Sequence, residues 1–237
     1  MILAVESATP RGSVALSSGG AVRAERFLPP GRQASEAYIA AVEELFAAAC
    51  ARPGDVSCVA VSAGPGSFTG LRVGMSAAKG FCFGWGVPLV LVPTLAGLVS
   101  RISGEGRTVC PVLDARKKEV YAALFRRVGE RVERLSPDMA ISPEALLDRL
   151  PGGGVVFCGD GMERYGAMFR NRLGDRMTIV SGPDGLPAAG AVGIAGERAF
   201  LAGDVADLRS AVPAYIRTPE AEFRRMGNPP AGSGTVS

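Results

Sequence analysis

Three strand-like runs, then helices alternating with strands, then the same succession again: this element order narrows the folds open to the chain more than any motif does. Residues 2–7 (ILAVES) form an apolar run that stops at Ala8-Thr9-Pro10. Residues 13–18 (SVALSS) and 21–27 (AVRAERF) alternate across Gly19-Gly20. A strand followed by a hairpin is what this patterning predicts. Residues 35–51 read as a helix, with Ser35 as its cap and Pro53-Gly54 as its stop. A buried strand over 56–62, a helix over 67–84, a strand over 89–92 and a helix over 94–102 complete the first half. The second half repeats the scheme with strands over 108–114, 119–127 and 131–135 and a helix over 143–150. A strand over 155–158, a helix over 162–172, a weak strand over 177–180 and a helix over 187–202 follow.

Three antiparallel strands followed by alternating units predict a mixed sheet with helices packed on it. Two βββαβα halves in tandem are the mark of the actin-like ATPase duplication. The fold class expected is therefore α/β, actin-like (ASKHA), a duplicated βββαβαβα with two lobes and mixed sheets. The expected lobes are residues 1–103 and 104–226, joined near Ser103-Gly104-Glu105-Gly106. The Gly/Pro-rich stretch over 227–237 is expected to be a disordered tail. With 47% hydrophobic and 21% charged residues over 237 positions, the chain can bury cores of that size.

One count removes whole classes of chemistry: there is no histidine. Ser-His-Asp and Cys-His triads are excluded, as is any metal site built on imidazole. A net charge of +3 gives no strong field for autonomous nucleic-acid binding. Cys50, Cys58, Cys82, Cys110 and Cys158 are odd in number, have no C-x-x-C spacing and lie in or beside apolar stretches. Buried reduced thiols in a cytoplasmic protein are expected, with neither disulfides nor a metal cluster. The N-terminus lacks the pattern of a signal peptide. The uncharged stretch over 80–100 is long enough to span a bilayer, but Pro88 and Pro93 break it around Leu89-Val90-Leu91-Val92. A helix end, a strand and a second helix are expected there, with no membrane association.

The most specific local signal is GPGSFTGLRVG at 64–74, which leaves a strand and starts a helix. Gly64 and Gly66 allow a tight turn, and first-turn N–H groups there can hold a phosphate or carboxylate. Neither a Walker A loop nor G-x-G-x-x-G is present. Loop physics alone favours the plainer alternative, close packing of the helix on the sheet through small residues.

AVESATPRGSVAL (4–16), GPGSFTGLRVG (64–74), DARKKEVYAALF (114–125) and AVPAYIR (211–217), in this order, resemble the TsaB (YeaZ) family. The resemblance covers residues 1–127 and the C-terminal motif, with 128–210 matching in outline. It implies a non-catalytic subunit in forming threonylcarbamoyladenosine (t6A), the modified base beside the tRNA anticodon. In that scheme TsaC makes a threonylcarbamoyl-adenylate, and TsaD transfers the group with the help of TsaB and the ATPase TsaE. The partners implied are thus the paralogue TsaD, TsaE, tRNA through the complex, and a second copy when the chain is alone. No cofactor is required, and ATP or ADP is admitted at the interface with TsaD.

TsaD carries a metal-binding His-x-x-x-His after the strand that follows its GPG loop. Those histidines fall at about Thr94 and Leu98, and neither residue binds iron or zinc. Two further departures weaken independent nucleotide chemistry: Glu6 stands where many TsaB sequences have Asp, and Ala34 stands where His often precedes the helix 1 serine. The family's older peptidase label finds no nucleophile–base pair or zinc ligands to support it.

Glu6 and Asp114 each close the first strand of a half, where actin-like folds place phosphate-facing carboxylates. With Gly64 and Gly66 they are the candidates for nucleotide or phosphate contact. The plainer alternative is a carboxylate bonded to turn N–H groups. Arg116, Lys117, Lys118 and Glu119 read as a solvated hairpin tip, with phosphate or RNA contact as the alternative. Gly159-Asp160-Gly161 reads equally as an adenine-side turn or a simple strand-to-helix turn.

On helix 1, Tyr38, Ala41, Val42, Leu45, Phe46 and Ala49 form a wide apolar face. On helix 2, Leu71, Met75, Ala78, Phe81, Cys82 and Trp85 form one stripe, and Gly70, Gly74 and Ala77 form another. A helix apolar nearly all round must be covered on both sides, by the sheet and a partner or, as the plainer alternative, wholly inside a monomer; a surface helix of a two-layer lobe has one exposed face, which favours the partner. The resemblance implies pairing through these two helices, so Tyr38, Val42, Leu45, Phe46, Leu71, Gly74, Met75, Ala78 and Phe81 are the expected partner interface. The rival expectations are an autonomous ATP-dependent kinase-like enzyme of the actin-like superfamily and a self-sufficient threonylcarbamoyl transferase. The first lacks an obvious base, and the second lacks the metal ligands.

Overall fold

The computed structural model describes residues 1–29, 35–102, 106–129 and 131–216. The side-chain cap expected at Ser35, the Ala34 position, the lobe junction, Arg217 and the tail lie outside the described residues.

The first half folds as β1 (Ile2–Glu6), β2 (Ser13–Ser18), β3 (Ala21–Phe27), α1 (Ser35–Ala48), β4 (Cys58–Ser62), α2 (Phe68–Trp85), β5 (Leu89–Val92) and α3 (Thr94–Val99). Its sheet has the order β3-β2-β1-β4-β5, with β1 antiparallel to β2 and parallel to β4. The second half comprises β6 (Thr108–Asp114), β7 (Val120–Ala122), β8 (Phe125–Val128), β9 (Arg131–Arg134), β10 (Met139–Ile141), α4 (Pro143–Asp148), β11 (Val155–Cys158), α5 (Gly161–Leu173), β12 (Met177–Ile179) and α6 (Ala189–Leu201). The path of its sheet is β10-β7-β6-β11-β12, with β8 beside β6 and β9 beside β8. Taking β7 with β8 and β9 with β10, the two sheets share one strand order, third-second-first-fourth-fifth, as the duplicated actin-like fold requires.

The strand expected over 119–127 is broken in two by its neighbour in the sheet. Both pieces keep one register on β6, with Val112 opposite Ala122 and Val109 opposite Phe125. The break at Ala123-Leu124 lies against Pro111, which has no N–H to give the ladder. Leu124 N–H bonds to the Ser136 hydroxyl instead, at 2.9 Å. The β10 segment was not expected, because three residues beyond Ser136-Pro137 carry no periodic signal. Helix 1 stops at Ala48, before the expected 51, where Cys50 takes a left-handed φ of 49°. Cys50 is exposed, contrary to the expectation of buried thiols, whereas the other four cysteines are buried.

Helices α1 and α2 cover one face of the first sheet in a core that contains Leu3, Val5, Leu16, Leu45 and Val61. The other face, lined by Ala4, Ala15 and Ala60, receives α6 from the second half of the sequence. Small residues meet there: a Cβ at Gly193 or Gly196 would collide with Ser17 or Ala60. Reciprocally, α3 lays Leu95, Leu98 and Val99 on the second sheet against Val109, Leu113 and Phe125. Its opposite face packs on α4 and α5. The layers thus run helix pair, sheet, α6 with α3, sheet, helix pair, and each half of the sequence contributes the helix that covers the other half's sheet. Among the described residues no helix is long and apolar enough to cross a membrane.

Candidate functional site

A cleft of about 420 Å3 opens where the strand ends of the two sheets face each other. Its walls are the β1–β2 turn, the start of α2, the β6–β7 hairpin, Asp160 and the segment 214–216. Four of the expected phosphate-contact residues belong to this neighbourhood, in different ways.

Glu6 lies beneath the cleft rather than on its wall. It is 1% exposed, and its Oε1 accepts the Ala8 N–H at 2.6 Å. Burial pushes its carboxyl up to about 7, opposed by the bonds from Ala8 and Ser62 and aided by the charge of Asp160. The buried Tyr38 hydroxyl donates to the Glu6 carbonyl at 3.1 Å. Asp114 does line the cleft. Its Oδ1 accepts the Arg116 N–H at 2.8 Å, and its Oδ2 lies 3.5 Å from Arg116 Nη1 and 3.4 Å from Arg164 Nη1. The Asp114 N–H donates to Asp160 Oδ1 at 3.1 Å, and burial raises the Asp160 carboxyl. Both carboxylates therefore accept turn N–H groups.

Gly64 and Gly66 serve close approach. Gly64 has φ +109°, its N–H donates to Thr94 Oγ1 at 3.1 Å, and the carbonyl of Ala214 fills the place a Cβ would take. A Cβ at Gly66 would strike Ala8. At the start of α2, Ser67 Oγ accepts the Gly70 N–H at 3.2 Å, and the Ser67 N–H donates to the Ala8 carbonyl at 2.7 Å. The loop thus knits α2 to the β1–β2 turn and to the C-terminal segment. The Arg72 guanidinium lies 3.9 Å over the Phe68 ring and donates to the Tyr215 hydroxyl at 3.0 Å, which fastens that segment at the cleft mouth. Pattern reading missed Phe68 and Tyr215; the AVPAYIR motif was the available signal.

The expected partner interface needs correction. Tyr38, Val42, Leu45, Phe46, Leu71, Gly74, Met75 and Ala78 are buried within the chain, and Phe81 is partly buried against Trp85, 5.0 Å between ring centroids. Tyr38, Val42, Leu45, Phe46, Met75 and Ala78 fill the core between the helices and the first sheet, and Gly74 lets α2 approach Ser7, because a helix turns its widest apolar stripe toward the sheet it covers. The outward face of the pair consists of other residues. On α1 these include Glu36, Ile39 (49% exposed), Ala40, Glu43, Glu44 and Ala47; on α2 they include Arg72, Ser76, Gly80 and Phe83 (84% exposed). Phe83 falls outside the α2 core stripe, and that was the legible sign of a second apolar face.

Thr94 and Leu98 are both structural. Thr94 is the acceptor for Gly64, and Leu98 is buried in the core shared with the second sheet.

Strand order, crossed helices and the cleft place the chain in the actin-like class of duplicated α/β proteins. A Pseudomonas aeruginosa crystal structure, described as an uncharacterized protein with similarity to peptidase YEAZ, shares this fold with a TM-score of 0.75. It is 24% identical, over 91% of this chain and 99% of that one. The family model for TsaD, tRNA N6-adenosine threonylcarbamoyltransferase, matches residues 30–170. The tRNA threonylcarbamoyladenosine biosynthesis protein TsaB of Escherichia coli (strain K12) is 30% identical over 91% of this chain and 94% of its own length. The protein of the same name from Bacillus subtilis (strain 168) is 27% identical over 94% and 96%. The chain belongs to the TsaB family.

Proposed function

We propose that this chain acts in tRNA threonylcarbamoyladenosine biosynthesis as an assembly subunit that binds a TsaD-like partner and has no transferase turnover of its own. The observation that carries the reading is the outward face of α1 and α2. Phe83, Ile39, Ala40, Ala47 and Gly80 are exposed apolar or small residues beside a folded core, flanked by Glu36, Glu43, Glu44 and Arg72, which is the mixture of apolar contact and polar rim that a helix-pairing interface uses. Thr94 and Leu98, at the positions of the TsaD metal ligands, support a non-catalytic role, as does a chain without histidine. The same face serves a second copy when the partner is missing, since a two-fold pair uses one patch twice. TsaE and tRNA then engage the assembled complex, in the cytoplasm. ATP or ADP, where bound, sits at the junction with the partner and is not needed for folding. A kinase-like reading is less favoured, because Asp114 is already engaged by Arg116 and Arg164 and Glu6 lies off the cleft wall.

Reconstitution of tRNA modification from purified components, with this chain omitted and then restored, tests the proposal. Modification should require the chain, and the chain alone should turn over neither substrate nor ATP. Turnover by the chain alone that survives further purification would overturn it.

A further inference from the structure

The β6–β7 hairpin tip holds three consecutive residues in left-handed backbone: Arg116 at φ +62°, Lys117 at +50° and Lys118 at +62°. Each would be less strained as glycine, yet all three are cations and all three are exposed. The turn is braced by its own bonds, Arg116 N–H to Asp114 Oδ1 at 2.8 Å, Glu119 N–H to the Arg116 carbonyl at 2.9 Å and Ala115 N–H to the Glu119 carbonyl at 3.1 Å. Two more exposed cations share this side of the cleft mouth. Arg11 lies 4.4 Å over the Phe27 ring, and Arg164 reaches Asp114. The neighbouring Asp114, Glu119 and Asp160 are half-buried and Glu163 is exposed beside Arg164, so the exposed cations Arg11, Arg116, Lys117, Lys118 and Arg164 outnumber the exposed acid on this side.

We propose that this rigid cationic tip contacts the sugar–phosphate backbone of tRNA in the assembled complex. The inference rests on the function proposed above. A backbone contact needs cations on a fixed scaffold and no base-reading group. Protein interfaces are depleted in lysine, and two of the three tip residues are Lys117 and Lys118. A nucleotide in the cleft would meet Asp114 and Asp160, which repel its phosphates; Arg116 and Lys117 border that cleft beside them, whereas Lys118 lies outside its lining. Strain kept where glycine would relieve it fits a position held for contact rather than for folding.

The test uses the reconstituted complex and a Lys117→Gly/Lys118→Gly double variant. Thermal unfolding should show equal or higher stability, and sedimentation should show unchanged pairing with the TsaD-like partner. Affinity for tRNA near physiological salt should fall about tenfold or more, and the slope of log affinity against log salt should fall by between one and two. Unchanged tRNA affinity and slope in a folded, assembled complex would overturn the inference. So would loss of partner pairing, which would make the tip a protein contact. Weaker ATP binding with tRNA binding intact would overturn it too. The wild-type complex is assayed first: failure to modify tRNA there counts against the proposed function itself, independently of any hairpin variant.

Discussion

Glu6 and Asp114 hold equivalent places in the two halves, each ending the first strand of its sheet and each accepting the N–H two residues on. Their surroundings are opposite. Glu6 is sealed under the β1–β2 turn with its carboxyl raised by burial, while Asp114 faces the cleft between two guanidinium groups. The contrast extends outward. The first half turns its apolar helix stripes and its carboxylate inward, and the second half displays strained cations on its matching hairpin. Duplication preserved the strand order and the turn bond, so these belong to the fold; burial and charge diverged, so these belong to what each half does.

The largest expected effect tests whether the first half's helix stripe is core. Leu45→Glu puts a carboxylate at a fully buried position and should remove about 4 kcal/mol or more, a large part of a typical domain's stability. Circular dichroism and urea unfolding would detect it; an unchanged midpoint would return Leu45 to the partner surface.

Next in size is the titration that separates Glu6 from Asp114. Below about pH 4.5 the Glu6 carboxyl is neutral in both states. As pH rises toward 7 the unfolded chain gives up that proton and the folded chain keeps it, so Glu6 makes stability fall through this window and level off above it. The loss is about 3 kcal/mol. Urea midpoints measured from pH 4.5 to 8 should show the decline, and Glu6→Gln should remove it. A decline that persists in Glu6→Gln would assign it to another group.

The outer face of the same helices should behave differently from the inner. Phe83→Glu should leave the fold intact and weaken pairing with the partner by about 2 kcal/mol, roughly thirtyfold. Analytical ultracentrifugation reads this directly, and unchanged pairing would move the interface off α2. The smallest effect concerns the fastening of the C-terminal segment. Tyr215→Phe removes the bond from Arg72 but keeps the ring on Phe68, 5.0 Å away, so it should lower stability by about 0.5–1 kcal/mol. A larger drop in melting temperature would show that the segment supports the cleft as a whole.

Much of the architecture was legible because its causes are local. The runs over 89–92, 108–114 and 155–158 became strands with those bounds, and the Pro88 and Pro93 breaks divided the long apolar stretch as expected. The broken second strand was less legible, since Pro111 acts on residues a dozen positions away through the sheet. In the site, the motifs identified the cleft walls, but their residues proved to bond turns and admit close backbone approach.

What the sequence determined by itself was the element order, its tandem repetition and the chemistry that a chain without histidine can perform. Periodicity and composition suffice for these, because each is set within a few residues or by counting. Only the tertiary structure decided that α3 and α6 exchange sheets, that Glu6 is buried while Asp114 is not, and that Leu45 faces in and Phe83 out. A hydrophobic period marks a face that must be covered but not what covers it, and that depends on which distant segment arrives there.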